Sequence, residues 1–248
     1  MAANKILTLI TGANTGLGYH AASQLAASGK YHVLLGSRDL TKAKTAIQSM
    51  AEDKASPTDT SNLEAIQIDV SSDDSIAAAA SQVEKKYGSL DILMLNAGIS
   101  RATGESPSTR EQYRQQFDTN VFGNAVVIDT FLPLLRKSTK EGGKRIAFTG
   151  SSIASHAKSI EQKNLAYARI YRTSKSAMQM MMASYAAELE GEGFVVAASC
   201  PGYCGTNLNE FRGTKDAKDG AKVLVDVATA PGEKVHGRLV DCDGVVAW

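Results

Sequence analysis

Tyr171 and Lys175 stand four positions apart, and three glycines, Gly12, Gly16 and Gly18, stand near the start of the chain. Four residues make about one helical turn, so on a helix the phenol and the ammonium project from the same face. There the positive charge favours the phenolate and eases proton exchange. A Tyr-x-x-x-Lys spacing by itself is common on solvated helices. Its weight comes from Thr11-Gly12-Ala13-Asn14-Thr15-Gly16-Leu17-Gly18 upstream. Glycines let a backbone turn tightly and approach a pyrophosphate, whose charge is attracted by the free N–H groups of a following helix. Together the two motifs point to proton exchange beside a bound dinucleotide.

The second candidate strand ends in Gly36-Ser37-Arg38, where a protein that binds NAD usually offers a carboxylate to the ribose 2′-hydroxyl. Here Ser37 and Arg38 occupy the place. A guanidinium makes charge-assisted bonds to a 2′-phosphate, and no carboxylate repels it, which favours NADPH/NADP+. The alternative is a solvated Arg38 partly neutralised by Asp39. Asp69, with Val70 after it, is a candidate for the adenine amino group, and Asn96-Ala97-Gly98 lets the backbone pass close to a ribose. Each can equally be turn chemistry.

Short β-like runs must position these groups: Ile6 to Ile10, His32 to Leu35, Ala65 to Ile68, Ile92 to Leu95, Arg145 to Thr149, Val195 to Ser199 and Leu239 to Asp241. Between them Gly18 to Ser28, Thr41 to Glu52, Asp73 to Tyr87, Val121 to Leu135, Ala177 to Leu189 and Asp216 to Ala228 carry helical spacing. Alternation of this kind predicts βαβ units, and wholly apolar runs such as Ile92-Leu93-Met94-Leu95 suit strands covered on both faces. The expectation is an α/β fold, a doubly wound sheet of seven parallel strands with helices on both faces, in one domain spanning residues 1–248. Asp53 to Asn62, Arg101 to Pro107 and Ser155 to Asn164 read as loops.

A net charge of +1 with mixed signs offers no basic stripe for nucleic acid and no cationic segment for a membrane. Met1 to Lys5 runs directly into a short apolar stretch, which predicts a cytoplasmic protein. The three cysteines form no Cys-x-x-Cys pair and the four histidines are scattered, so neither a disulfide framework nor a metal site is expected. Cys200 and Cys242 read as buried small hydrophobes. The partner is then a small molecule.

These residues resemble the short-chain dehydrogenase/reductase family, in its branch with Thr-Gly-x-x-x-Gly-x-Gly. The likeness also takes in Asn96-Ala97-Gly98, Asn120, Ser151-Ser152, Tyr171 with Lys175, and Cys200-Pro201-Gly202 followed by Thr206. The carboxyl-terminal Gly237 to Trp248 is similar to NADPH-dependent carbonyl reductases. The resemblance implies a Rossmann-type fold and a catalytic set of Asn120, Ser152, Tyr171 and Lys175. Tyr171 would be the general acid for reduction, Ser152 a donor to the substrate oxygen, Lys175 a ligand of the nicotinamide ribose and Asn120 the holder of a relay water. It further implies cofactor contacts from Gly12, Asn14, Thr15, Gly16, Leu17, Gly18, Ser37, Arg38, Asp69, Val70, Asn96, Ala97, Gly98, Tyr171, Lys175, Pro201, Gly202 and Thr206, the last holding the carboxamide.

Two features depart from the family pattern. Ser152 lies nineteen residues before Tyr171, a longer separation than usual, so Ser155 to Asn164 contains an insertion and Ser151 stands as the alternative serine. Tyr203-Cys204-Gly205 precedes Thr206, placing a thiol near the nicotinamide. Tyr167 reads as packing or substrate wall. The expected activity is reduction of a ketone, aldehyde or quinone carbonyl; the oxidative direction and a non-catalytic NADP(H) sensor or scaffold are the alternatives. Leu208 and Phe211 read as an apolar substrate wall or as core. The apolar, methionine-rich Ala177 to Leu189 predicts a homo-oligomer, with a monomer open because of the insertion.

Overall fold

A computed structural model describes residues 5–53, 58–161 and 167–248. The first four residues, Pro57 and the end of the Ser155 to Asn164 segment lie outside the described residues. The elements run β1 (Ile6–Ile10), α1 (Gly16–Ala27), β2 (Tyr31–Ser37), α2 (Leu40–Glu52), β3 (Leu63–Gln67), α3 (Asp73–Tyr87) and β4 (Ile92–Leu95). They continue with α4 (Thr109–Phe117), α5 (Gly123–Arg136), β5 (Arg145–Thr149), α6 (His156–Glu161), α7 (Arg169–Leu189), β6 (Val195–Ser199), α8 (Ala217–Thr229), α9 (Gly232–Val235), β7 (Leu239–Asp241) and β8 (Gly244–Val246).

The strands form one eight-stranded sheet in the order β3-β2-β1-β4-β5-β6-β7-β8. Successive strand residues enter opposite cores. Leu9, Leu34, Leu93 and Ile146 pack with Phe131, Met178 and Met182 from α5 and α7. Their neighbours Ile10, Leu35, Met94 and Ala147 pack with Ala22, Leu25 and Leu224 from α1 and α8. Both faces being buried explains why a central strand such as β4 is apolar throughout rather than alternating. The order reverses between β1 and β4, so their carboxyl ends open a crevice where ligands bind in such sheets.

Four local expectations change. An eighth strand, β8, pairs antiparallel with β7. Its turn is closed by Asp243 N–H donating to Asp241 Oδ1 at 2.9 Å and by Gly244 at φ +123°, and this turn leaves Cys242 exposed rather than buried. Helix α4 was hidden by its polar composition, since Gln116 is its one buried residue. Its signal is the Ser108-x-x-Glu111 start, where Ser108 Oγ accepts from Glu111 N–H at 3.2 Å. Part of the expected loop after Ser155 is helix α6. Helix α7 begins at Arg169 rather than Ala177, which puts Tyr171 and Lys175 on its first turns. Along α7, Met178 and Met182 are fully buried in this chain's own core while Met180 is exposed, so most of the apolarity that suggested an oligomer is spent internally.

Between α4 and α5 the chain makes a π-helical turn, Asp118–Phe122. Gly123 follows it, packed against the loop after β3. A methyl group on Gly123 would lie 2.1 Å from the Val70 carbonyl oxygen and 2.9 Å from its carbon. An exposed helical Gly→Ala change stabilises by about 1 kcal/mol. At Gly123 the sign reverses, and Gly123→Ala is expected to lower the stability to urea by about 2 kcal/mol; an unchanged or higher midpoint would contradict the packing described.

Candidate active site

The first turn of α1 is built without side chains where it meets the end of β4. Gly12 and Gly16 have φ of +61° and +58°, conformations that glycine adopts without steric cost. A methyl on Gly12 would lie 2.9 Å from Ala97 Cα, and one on Gly18 would lie 2.5 Å from Asn96 Nδ2. Asn96 Nδ2 donates to the carbonyls of Thr11 and Gly12, both at 3.0 Å. Thr11 Oγ1 accepts from the N–H groups of Asn96 and Ala97, also at 3.0 Å. Thr11 is a positioning residue that the sequence reading passed over. Thr15, the N-cap of α1, makes no side-chain cap bond, so the helix N-terminus keeps donors to offer an anion. Leu17 and Asn14 flank this turn, and Thr206 closes it from the far side, 3.3 Å from where a methyl on Gly16 would sit.

At the end of β2, Ser37 is buried and its hydroxyl accepts from Asp39 N–H at 3.2 Å. Asp39 does not neutralise Arg38. Its carboxylate caps α2 by accepting from Thr41 and Lys42 N–H at 2.9 and 3.1 Å. The Arg38 guanidinium is exposed and makes no ion pair among the described residues. Asp69 Oδ1 accepts from Ser71 N–H and Oγ at 3.0 and 2.7 Å, which forms a turn.

Lys175 is 3 % exposed, and its Nζ donates to the Thr149 carbonyl at 2.8 Å. It stands 5.8 Å from the centre of the Tyr171 ring. Burial lowers the ammonium to about 8, with Cys200 acting weakly the other way. Burial raises the Tyr171 phenol above its usual value, with a further push from Cys200. In the chain by itself burial therefore outweighs the stabilisation of phenolate expected from Lys175, and the phenol is neutral, the form that donates a proton. Asn120, fully buried, clamps the loop after β4. Its Oδ1 accepts from Ile99 N–H at 2.8 Å, and its Nδ2 donates to Ile99 O at 2.8 Å and to Ser174 Oγ at 2.9 Å. A methyl on Gly98 would touch both Asn120 Oδ1 and Lys175 Nζ, at 3.1 and 3.5 Å, which places these groups around one point.

Ser152 N–H donates to Cys200 Sγ at 3.1 Å, whereas Ser151 N–H is held by Gln179 Oε1 at 2.8 Å. Buried Cys200 thus positions Ser152, a task its apolar reading did not include. Among the described residues the Ser152 hydroxyl has no partner. After Pro201-Gly202, Cys204 turns away from the crevice and is buried against Gly220 of α8. Its Sγ donates to Pro201 O at 3.3 Å and would meet a methyl on Gly220 at 2.2 Å. The expectation of a thiol at the nicotinamide is overturned by this packing. Thr206 N–H is held by Asn209 Oδ1 at 3.1 Å. Leu208 and Phe211 are exposed, so they are not core, and Tyr167 is exposed rather than packed.

A family model described as short chain dehydrogenase matches residues 7–237. A short-chain dehydrogenase of Penicillium roqueforti is 42% identical over 245 residues, covering 97% of this chain and 95% of that protein. A bovine protein named "Carbonyl reductase [NADPH] 1" is 24% identical over 283 residues, covering both chains fully. The structure of NADPH-bound carbonyl reductase from chicken fatty liver superposes with a TM-score of 0.83 at 25% identity, covering 98% of this chain and 100% of that one.

Because folding lowers the pKa of Lys175, the native state binds fewer protons than the unfolded chain between pH 8 and the ordinary lysine value. Stability linked to this group is lowest below pH 8 and rises with pH through that window. Relative to Lys175→Met, the cofactor-free protein is expected to gain about 1–3 kcal/mol between pH 8 and 10, measured by urea unfolding. A difference that stays flat would refute the burial-lowered ammonium.

Proposed function

The chain belongs to the short-chain dehydrogenase family and is an oxidoreductase, and from that premise we propose that it reduces the carbonyl of a small, largely hydrophobic molecule with NADPH. The observation that carries the reading is the grouping of a neutral Tyr171, buried Lys175, Asn120 and Gly98 beside the glycine turn. Side-chain-free backbone at Gly12 and Gly18 makes a cradle that fits a pyrophosphate at the uncapped start of α1. Arg38, which makes no ion pair among the described residues, fits a 2′-phosphate. Ser37, Asp69, Val70, Asn96, Ala97, Pro201, Gly202 and Thr206 complete the walls of this site. When bound, NADPH supplies the hydride.

The chain's own residues handle the oxygen and the proton. Tyr171 donates its phenolic proton to the carbonyl oxygen as negative charge develops there. The unpartnered Ser152 hydroxyl donates a hydrogen bond to the same oxygen and stabilises it in place. Lys175, held by Thr149 O and 5.8 Å from the centre of the Tyr171 ring, would restore the proton on Tyr171 through a relay, and an ammonium near 8 exchanges protons readily at neutral pH. Asn120 keeps the loop after β4 in the shape that admits a ribose. Oxidation runs through the same groups in reverse. A sensor or scaffold would have no need of the Tyr171, Lys175 and Ser152 arrangement. Leu208, Phe211 and Tyr203 supply an apolar rim on the substrate side.

Tyr171→Phe is expected to lower kcat roughly 10²- to 10⁴-fold in NADPH-coupled carbonyl reduction while NADPH still binds, as followed by cofactor fluorescence. Full turnover by this variant would reject the mechanism. Arg38→Ala is expected to weaken NADPH binding roughly 10- to 100-fold with little effect on NADH. If the wild type binds NADH as well as NADPH, the cofactor assignment is wrong.

A further inference from the structure

Tyr171 forms one end of a cleft of about 600 Å³ between α4, the loop after β4 and the start of α7. Half of its polar side chains are engaged internally. Ser100 Oγ donates to Leu208 O at 2.7 Å, Arg101 is paired with Glu210, and Gln112 Nε2 donates to Pro107 O at 2.9 Å. Besides the Tyr171 hydroxyl, two groups are not engaged. Gln116, 3 % exposed, lines the cleft, and its side-chain amide makes no hydrogen bond among the described residues; its Oε1 is sealed from solvent without a partner. Arg169, the first residue of α7, extends a guanidinium that pairs with no carboxylate among the described residues.

Three features of this wall have the same sign. Ala168 gives α7 no side-chain cap, so the positive end of the helix dipole faces the cleft. Arg169 adds a full positive charge there. Gln116 Nε2 makes no hydrogen bond among the described residues, so its N–H donors are free to meet a ligand without any rearrangement. Among the described residues no acidic side chain lines the cleft. A group that satisfies all three is an anion able to accept several hydrogen bonds, and a carboxylate matches the fork of a guanidinium.

We propose that the substrate is a carbonyl compound that carries a carboxylate remote from the reacting carbon, bound by Arg169 and by the amide of Gln116. This inference rests on the reductase reading above and sharpens it: the rim at Leu208 and Phe211 takes the apolar body, and the cleft takes the acid. Arg169 and Gln116 are then specificity residues rather than proton donors.

The test is NADPH-coupled reduction of matched pairs of aromatic and aliphatic keto acids and their methyl esters, with para-acetylbenzoate and its ester among them. The wild type is expected to favour the acid of a pair by about tenfold in kcat/KM. Arg169→Gln, a change at an exposed position, is expected to cut the acid-to-ester ratio fivefold or more through KM, and added salt to cut it in the wild type alone. Gln116→Leu, which keeps the volume, is expected to reduce the ratio as well, with thermal unfolding reporting that it is folded. Equal reduction of acids and esters by the wild type, or a ratio untouched by Arg169→Gln, overturns this inference and leaves the reductase standing. No reduction of either member across the whole panel overturns both.

Discussion

At the carboxyl ends of β1 and β4 the backbone approaches itself so closely that side chains are excluded. Gly12 against Ala97 and Gly18 against Asn96 leave no room for a methyl group, and the gap is closed instead by hydrogen bonds from Thr11 and Asn96. Much else follows from that contact. It orients the first turn of α1 so that its amides face the crevice, and it fixes where Gly98 enters. Gly98 in turn sets the place of Asn120 and Lys175, because each lies within contact of the position where a Cβ would be. A dinucleotide cradle and a proton-handling group are therefore parts of one packing arrangement.

Lys175 shows how the chain tolerates a costly group. A buried ammonium without a carboxylate loses most of its hydration, and one hydrogen bond to Thr149 O restores little of it. Folding leaves the lysine with a weakened hold on its proton and leaves the neighbouring phenol with a strengthened one. In the reduction proposed above, that weakened hold readies the Lys175 ammonium to return the proton that the neutral phenol gives up. A carboxylate beside Lys175 would have relieved the burial cost and taken away this readiness.

Where the pattern depended on strands buried on both faces, it was legible in the sequence. β1, β4, β5, β6 and β7 lie where their apolar runs placed them, because no amphipathic helix could read as apolar on every side over so few residues. The glycine turn was legible for a similar reason, since its residues are dictated by backbone clearance. Structure set by hydrogen bonds rather than by burial was not. Helix α4 buries one glutamine, and the start of α7 was obscured because the residues it buries there, Ser174 and Lys175, are polar, its apolar face beginning only at Met178. Cys204 turned toward α8 because Gly220 leaves a hollow there, which is a long-range fact that no local pattern records. The diversion of Asp39 to a helix cap was readable in principle, since an aspartate directly before a helical run is a common cap.

The cover over the substrate side argues for discrimination by the α4 and α7 wall. The loop after β4 is tied to the loop after β6 by Ser100 to Leu208 and by Arg101 to Glu210. Both Glu210 and Phe211 have left-handed backbone, at φ of +56° and +59°, which costs a non-glycine residue about 1 kcal/mol or more. An exposed ion pair such as Arg101 with Glu210 contributes at most about 1 kcal/mol. The ion pair and the strain are thus of similar size, so Arg101 with Glu210 adds little net hold on this cover beyond the Ser100 bond. The wall formed by Gln116 and Arg169 stands instead on two helices, and among the described residues neither side chain is bonded to the other. If the chain reduces carbonyl compounds as proposed, selection among them falls to the groups whose bonding is incomplete until a ligand arrives.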